Sequence, residues 1–225
     1  MDRPPASAAR AAGAHGDAER AVGRAPLLGA VLVGGASRRL GRPKALVEVG
    51  GLTLAERATA ALEPVVERVI LVGGGPVPPA LQGLARLEDA PLGSGAGDPE
   101  ERGGAGPLAG LLAALRSAPG AAWILCPCDL PWVERAAAAW LAGERRPGRI
   151  AALPRPVAGG PVEPLFALYE PEVLPRVEAL AAAGVRAPRE LARIDGVAVV
   201  TPPARLARCW RDVDTAEELA ALWSL

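Results

Sequence analysis

One stretch decides the fold class of this chain: Leu28-Gly29-Ala30-Val31-Leu32-Val33-Gly34-Gly35-Ala36-Ser37-Arg38-Arg39-Leu40-Gly41-Arg42-Pro43-Lys44. Residues 30–33 are all apolar, which is typical of a strand in a parallel sheet that helices cover on both faces. Gly34 and Gly35 allow a sharp turn in which backbone N–H groups approach an anion. Positive charge comes from Arg38, Arg39, Arg42 and Lys44. The stretch therefore predicts a buried strand that runs into a phosphate-binding loop.

Two better-known phosphate-binding loops do not fit this stretch. A P-loop requires Gly-Lys followed by Ser or Thr, whereas Gly41 is followed by Arg42-Pro43-Lys44. A Rossmann fingerprint requires G-x-G-x-x-G at the start of a helix, and neither Gly34-Gly35 nor Gly73-Gly74-Gly75 meets it. A strand and a tight turn with solvated arginines is the simpler alternative for this segment taken alone.

Strand-like and helix-like segments alternate along the rest of the chain. This pattern predicts a single α/β domain with a Rossmann-like, mostly parallel sheet flanked by helices. Apolar runs predict strands at 69–72, 123–126, 150–153, 165–169 and 197–200. Helices are predicted from Leu54, from Pro107, through Leu180, and after a capping box formed by Thr215 and Glu218. We expect the glycine loop and Asp129 to meet where parallel strands end, at their carboxyl edge.

Composition excludes several classes of protein. The chain has 225 residues, half of them hydrophobic, which is enough for a substantial core. Its 25 Lys and Arg residues equal its 25 Asp and Glu residues, so it lacks the bulk charge of a nucleic-acid binder. It has neither an apolar run of membrane-spanning length nor a secretory signal. We expect a cytoplasmic protein that contacts neither nucleic acid nor membrane.

The cysteines and the single histidine also limit the chemistry. Cys126, Cys128 and Cys209 lack the paired spacing of a zinc site or of a disulfide framework, so we expect buried thiols. His15 lies in an N-terminal tail, 1–25, whose Ala, Arg and Gly content predicts disorder. The domain is then expected to span 26–225, with a flexible insertion at 93–105.

Five motifs resemble, in the same order, those of the molybdenum cofactor guanylyltransferase (MobA-like) family of nucleotidyltransferases. The first is L-x-G-G-x-S-x-R-x-G-x-x-K at 32–44. The others are Gly106-Pro107-Leu108-Ala109-Gly110-Leu111, Pro127-Cys128-Asp129-Leu130-Pro131, Glu163-Pro164-Leu165-Phe166-Ala167-Leu168-Tyr169 and Asp212-Val213-Asp214-Thr215-Ala216-Glu217-Glu218-Leu219. The resemblance covers 27–225 and implies the fold of the nucleotide-diphospho-sugar transferases.

The resemblance implies an activity and roles for individual residues. The implied reaction is Mg²⁺-dependent transfer of GMP from GTP to the terminal phosphate of molybdopterin or the molybdenum cofactor, with release of pyrophosphate. Asp129 would hold Mg²⁺, while Lys44 and Arg39 would offset the charge of the triphosphate and of the leaving pyrophosphate. The other implied nucleotide contacts are Leu32, Val33, Gly34, Gly35, Ser37, Gly73, Asp89 and Gly106, with Asp89 accepting hydrogen bonds from guanine.

The side of the second substrate is less well matched. Glu163, Asp212 and Asp214 are the candidate acceptor contacts, but guanylyltransferases often have asparagines where this chain has Asp212 and Asp214. Aspartates at these two positions also occur among cytidylyltransferases. Residues 165–169 are otherwise expected as core and edge-strand residues. The basic stretch 145–149 is expected as a solvated turn, and is the candidate for transient contact with molybdoenzymes or their chaperones.

Two rival functions remain open at the level of the sequence. A related nucleotidyltransferase that uses CTP, or a sugar-phosphate acceptor, would keep Lys44 and Asp129. A non-catalytic nucleotide sensor or adaptor would bind nucleotide without releasing pyrophosphate. Structural roles are also open. An aspartate at 129 is typical of a turn cap as well, and an acid at 89 is typical of a solvated loop as well.

Overall fold

The central sheet is mostly parallel, as predicted. The computed structural model describes residues 24–34, 42–92, 106–213, 215 and 218. The strands of these residues are β1 (Leu27–Leu32), β2 (Glu48–Val49), β3 (Leu52–Thr53), β4 (Val69–Val72), β5 (Arg86–Leu87), β6 (Ala122–Pro127), β7 (Ala151–Pro154), β8 (Ala167–Tyr169) and β9 (Val197–Val200). A seven-stranded sheet has the order β5-β4-β1-β6-β8-β7-β9, and β2 pairs with β3 in a separate hairpin. In the large sheet, β8 is antiparallel to both its neighbours, and the other pairs are parallel.

Four α-helices within the described residues cover the two faces of this sheet. They are α1 (Leu54–Leu62), α2 (Pro107–Ser117), α3 (Arg135–Gly143) and α4 (Leu174–Ala182). Helices α1 and α3 pack on one face, and α2 and α4 pack on the other. Short 3-10 segments lie at Lys44–Leu46, Pro79–Leu81, Pro171–Val173, Pro188–Arg193 and Ala204–Trp210.

The helices form where the sequence supplies both a start signal and an apolar face. Thr53 caps α1 through a box in which its side chain accepts from the Glu56 N–H and Glu56 accepts from the Thr53 N–H. Pro107 opens α2, and residues 108–115 of this helix are all buried. Each buried Leu contributes about 1.5–3 kcal/mol relative to an exposed one, so packing rather than propensity holds α2 in place.

The register of the two central strands positions the candidate site. In the parallel pair of β1 and β6, Val31 lies beside Cys126 and Leu32 lies beside Pro127. The loop after β1 and the loop after β6 therefore leave the sheet side by side. Beyond the strands, the Cys128 N–H donates to Leu32 O at 3.2 Å. This confirms the expectation that the glycine loop and Asp129 share one edge of the sheet.

Several elements differ from the sequence-based predictions. Strand β8 lies between β6 and β7 rather than at an edge, because it returns antiparallel through the middle of the sheet. Helix α3, strand β5 and the β2–β3 hairpin were not predicted. The hairpin turns at Gly50 and Gly51, whose φ angles are 62° and 81°. The Thr215 and Glu218 capping box forms, with N···O distances of 3.1 Å, but the rest of that helix lies outside the described residues.

The basic stretch 145–149 is not simply a solvated turn. Arg145 is only 7% exposed, and its Nε and Nη2 donate to the two carboxylate oxygens of Glu170 at 2.7 and 2.8 Å. Its Nη1 also donates to Ala25 O at 3.0 Å, and Arg24 donates to Arg145 O at 2.7 Å. Arg24 and Ala25, the last two residues of the predicted tail, are thus tied to the end of α3. Residues 1–23 and the predicted insertion 93–105 lie outside the described residues.

No helix among the described residues is long and apolar enough to cross a lipid bilayer.

The Arg145–Glu170 pair predicts a large stability effect. Replacing Glu170 by Ala leaves a buried guanidinium without its carboxylate, which costs about 3–5 kcal/mol of the free energy of unfolding. Glu178→Ala is the matched control, because the Arg116–Glu178 pair is about half exposed and such pairs contribute about 0–1 kcal/mol. Urea unfolding of both variants measures the difference. Equal losses would contradict an anchoring role for Arg145.

Candidate active site

A cavity of about 370 Å³ opens at the carboxyl ends of β1, β4 and β6. Its walls also include the start of the 3-10 segment at Lys44 and the N-terminus of α2 at Gly106 and Pro107. Helix N-termini favour anions, because their first N–H groups lack partners within the helix. Seven of the predicted site residues line this cavity: Leu32, Val33, Gly34, Lys44, Asp89, Gly106 and Asp129.

A lysine–aspartate pair marks one end of the cavity. Lys44 Nζ donates to Asp129 Oδ2 at 2.9 Å, and the two side chains are only 17% and 25% exposed. Asp129 is fixed by its backbone as well, because the Val213 N–H donates to Asp129 O at 3.1 Å. The ammonium group can neutralise phosphate oxygens, and a carboxylate has oxygens enough to contact both a lysine and a cation. This end therefore has the chemistry of a triphosphate and metal site.

Asp89 lies at the other end, in a slot walled by glycines. A Cβ atom at Gly34 would stand 3.5 Å from Asp89 Oδ2, and one at Gly110 would stand 3.5 Å from Oδ1. Burial raises the pKa of Asp89, and the nearby charge of Glu88 raises it further. A half-buried carboxylate that lines a cavity between two glycines can accept two hydrogen bonds from a ligand. It is not an ordinary solvated loop acid.

The loops after β1 and β4 cross with their backbones in contact. Gly73 has a φ of 103°, and a Cβ there would stand 2.7 Å from Gly34 N. At Gly75 a Cβ would stand 1.8 Å from Val33 O, so a larger residue cannot fit without moving one loop. Gly73 does not line the cavity but lies behind Gly34, and its predicted contact with the nucleotide remains a prediction.

Two of the predicted acceptor residues lie beside the cavity on the β8 side. The Glu163 N–H donates to Pro154 O at 2.8 Å, at the carboxyl end of β7, and Asp212 precedes the residue that bonds to Asp129. Burial raises the pKa of Glu163, and the charges of Asp212 and Asp129 raise it further. The negative charges of Asp212 and Asp129 therefore both act on Glu163. A cation at Asp129 would reduce that repulsion.

The donor set fits a metal ion that takes most of its ligands from a substrate. Among the residues that the structure describes, no three His, Cys, Asp or Glu side chains form a metal-binding group. Burial raises the pKa of Cys128 to about 12, and hard cations prefer oxygen ligands to a thiol. Mg²⁺ is commonly held by one or two carboxylates together with phosphate oxygens and water. Asp129 can supply such a carboxylate.

Sequence reasoning missed part of the site and predicted part that cannot be placed. Gly35, Ser37, Arg39 and Asp214 lie outside the described residues. Gly75 and Gly110 were not singled out, although both keep space open beside Val33 or Asp89. The signal for Gly75 was present in the sequence, since three consecutive glycines directly follow the apolar run 69–72. The run does not match a Rossmann fingerprint, and the predicted nucleotide contact within it is Gly73 rather than Gly75.

A mostly parallel sheet with a glycine loop, a Lys–Asp pair and a second carboxylate around one cavity defines a nucleotidyltransferase. The chain belongs to the family described as the MobA-like NTP transferase domain, whose model matches residues 29–211.

Two curated relatives carry the same name for their activity. The molybdenum cofactor guanylyltransferase of Rhodobacter capsulatus is 34% identical over 202 residues, which cover 86% of this chain and 93% of that protein. A probable molybdenum cofactor guanylyltransferase of Pelotomaculum thermopropionicum is 33% identical over 150 residues, which cover 67% of this chain and 66% of that protein.

Two solved structures show the same fold. Molybdopterin-guanine dinucleotide biosynthesis protein A from Archaeoglobus fulgidus has a TM-score of 0.62 at 24% identity, covering 87% of this chain and 96% of its own. The complex of Rv0371C from Mycobacterium tuberculosis with manganese has a TM-score of 0.57 at 21% identity. The match covers 90% of this chain and 100% of that chain.

The loop crossing predicts that Gly75→Ala damages the site. The added methyl group overlaps Val33 O, so the two loops must separate, at a cost of about 1–3 kcal/mol. We expect nucleotide affinity to fall about tenfold or more, since Val33 and Gly34 line the cavity. Gly83→Ala is the control, because a Cβ at Gly83 meets nothing within 4 Å. Titration with a fluorescent GTP analogue measures both, and equal affinities would exclude a role for the crossing.

Proposed function

We propose that this protein transfers GMP from GTP to the terminal phosphate of molybdopterin or the molybdenum cofactor. The products are pyrophosphate and the guanine dinucleotide form of the cofactor. One observation carries the proposal: a single cavity is lined by the Lys44–Asp129 pair at one end and by the half-buried carboxylate of Asp89 at the other. The pair suits a triphosphate, and the carboxylate suits a base that offers two neighbouring N–H donors.

The reaction asks the protein for alignment and charge neutralisation rather than for a nucleophile. An oxygen of the acceptor phosphate attacks the α-phosphorus of GTP, and the bond from that phosphorus to the bridging oxygen breaks as pyrophosphate leaves with the electron pair. Lys44 offsets negative charge on the triphosphate, and Arg39, by family resemblance, does the same for the leaving group. Asp129 would hold a divalent cation, which we take to be Mg²⁺. When bound, the cation supplies Lewis-acid charge stabilisation.

We assign recognition of the base to Asp89. Guanine presents N1–H and an exocyclic amine side by side, and one carboxylate can accept from both. Cytosine does not offer this pair of donors in the same geometry. The glycines at 34 and 110 support the assignment, because neither places a side chain against the oxygens of Asp89, which a Cβ would approach to 3.5 Å.

The acceptor is proposed to enter on the β8 side of Asp129. Glu163 lies there, and Asp212 is tied to Asp129 through Val213. Asp214 is included by family resemblance. Carboxylates beside an anionic acceptor would repel it unless they are protonated or offset by a cation. The raised pKa of Glu163 favours its protonated form.

The experiment is a parallel assay of pyrophosphate release with purified protein, Mg²⁺ and molybdopterin. GTP and CTP are offered separately, and the dinucleotide product is identified by mass. Release with GTP and little with CTP supports the proposal. Release with CTP alone would identify a cytidylyltransferase instead, and nucleotide binding without release from either would identify a sensor or adaptor.

Asp129→Asn should nearly abolish turnover. The amide keeps the shape but not the charge that holds the cation, so we expect kcat/KM to fall about 10²–10³-fold. The Mg²⁺ concentration for half-maximal activity should also rise. Asp195→Asn is the matched control, because Asp195 is exposed and precedes β9 at the opposite edge of the sheet. Unchanged turnover of Asp129→Asn at limiting Mg²⁺ would remove Asp129 from the metal site.

Lowering the pH should weaken GTP recognition before the fold is lost. Burial and Glu88 raise the pKa of Asp89, so Asp89 takes up a proton at a higher pH than an ordinary aspartate and loses its capacity as a double acceptor. Glu88→Gln removes one cause of the shift, so KM for GTP should begin to rise only at lower pH. Glu63→Gln, at an exposed position after α1, serves as the control. Identical pH profiles of KM for the two variants would contradict the role of Asp89.

Asp89→Asn should separate function from stability. Folding raises the pKa of Asp89, so its ionised form lowers stability as the pH rises through that raised pKa. At neutral pH the asparagine removes this penalty, and urea unfolding should show stability equal to or above that of the parent. GTP turnover should still fall. Loss of stability together with turnover would indicate a structural rather than a recognition role.

A further inference from the structure

An arginine on the edge strand of the sheet binds the loop of three glycines, 73–75, that follows β4. Arg86 lies in β5, and its Nε donates to Gly73 O at 2.8 Å. Its Nη2 donates to Gly73 O and to Gly75 O as well. One guanidinium therefore binds two carbonyls of the loop that follows β4. A planar group with fixed donors suits this bridging better than a flexible ammonium does.

This loop needs an external partner because it has no side chains of its own. Residues 73–75 are all glycine, so they lose more backbone freedom on ordering than any other residue type would. Gly73 also has a φ of 103° and donates its N–H to Leu87 O at 2.9 Å in the neighbouring strand. The bonds from Arg86 fix the same loop from its carbonyl side. Hydrogen bonds from charged donors are among the strongest that a protein makes.

The loop that Arg86 holds, 73–75, lies directly behind one wall of the base end of the cavity. Gly75 stands against Val33 O and Gly73 stands against Gly34 N, while Pro76, the next residue, lines the cavity itself. Gly34 in turn borders the carboxylate of Asp89. A shift of 73–75 would move Gly34 relative to Asp89. Arg86 does not line the cavity, so its influence on a ligand passes through this loop.

We propose that Arg86 is a positioning residue for base discrimination: it holds the loop 73–75 against Val33 and Gly34, and so sets the width of the slot in which Asp89 meets the base. This inference rests on the proposed function for the identity of the base. It assigns selectivity to a residue that does not touch the nucleotide. The bonds to two glycine carbonyls carry the inference.

The test compares Arg86→Met, Arg86→Lys and the control Arg116→Met. Arg116 is an exposed arginine at the far end of α2, paired with Glu178, so its replacement makes the same chemical change away from the cavity. Fluorescent analogues of GTP and CTP are titrated against each protein in the presence of Mg²⁺. Pyrophosphate release with each nucleotide and molybdopterin is measured in parallel, and urea unfolding checks that each variant is folded.

We expect Arg86→Met to lower the preference for GTP over CTP about tenfold, mainly through KM, with kcat at saturating GTP nearly unchanged. Arg86→Lys should recover part of the preference, since an ammonium can still reach one carbonyl. An unchanged GTP-to-CTP ratio in folded Arg86→Met, or equal losses for both nucleotides, would overturn the inference. So would a parent protein without base preference in binding.

The two proposals can fail separately. If the parent binds GTP selectively but releases no pyrophosphate with molybdopterin, the proposed function fails while the binding comparison still tests Arg86. If the parent shows guanylyltransferase activity and Arg86→Met keeps its selectivity, only the positioning role fails.

Discussion

The contact between two backbones, Val33–Gly34 after β1 and Gly73–Gly75 after β4, is the constraint on which the site depends. Side chains normally keep neighbouring loops apart, but a Cβ at Gly75 would stand 1.8 Å from Val33 O. Glycine at these positions lets the loops touch, and the parallel pairing of β1 with β4 brings them to the same edge. Asp89 can then reach Gly34 from one side, while the N-terminus of α2 closes the cavity from the other. The backbone contact between the loops after β1 and β4 therefore determines the shape of this part of the cavity.

The two ends of this cavity differ in charge. Lys44 and Asp129 neutralise each other at 2.9 Å, and both remain partly exposed to a ligand. Among the residues that the structure describes, no lysine or arginine pairs with Asp89, and burial together with Glu88 raises its pKa and so disfavours its ionised form. Its charge is therefore held at some free-energy cost, which a base with two N–H donors would offset. Strained or costly groups of this kind are commonly found where a protein binds its ligand.

The sequence predicted most of the fold because its apolar runs are long and its breaks are clear. The four-residue run 69–72 and the Pro107 helix start were found from local signals alone. Strand β5 has two residues and the hairpin strands have two each, which is too short for any periodicity to register. The interior place of β8 depends on sheet order, which no local pattern contains.

For the site, residue type and motif spacing predicted Lys44, Asp89 and Asp129, which line one cavity, but not the contacts that hold them. The role of Arg145 was misjudged because its partner, Glu170, lies 25 positions away in sequence. Arg86 and Gly75 were overlooked for the same reason, since each acts on a loop from a different strand. Residues that bear the chemistry can be predicted from local sequence when a motif surrounds them. The residues that hold them in place act through contacts between segments distant in sequence, and these contacts are seen only in the folded chain.

The most direct test is a crystal structure of the protein with Mg²⁺ and a non-hydrolysable GTP analogue. We expect guanine against Asp89 in the slot beside Gly34, with the triphosphate reaching Lys44 and a cation on Asp129. A nucleotide bound in the reverse direction, with its base beside Asp129, or one bound outside this cavity, would contradict it.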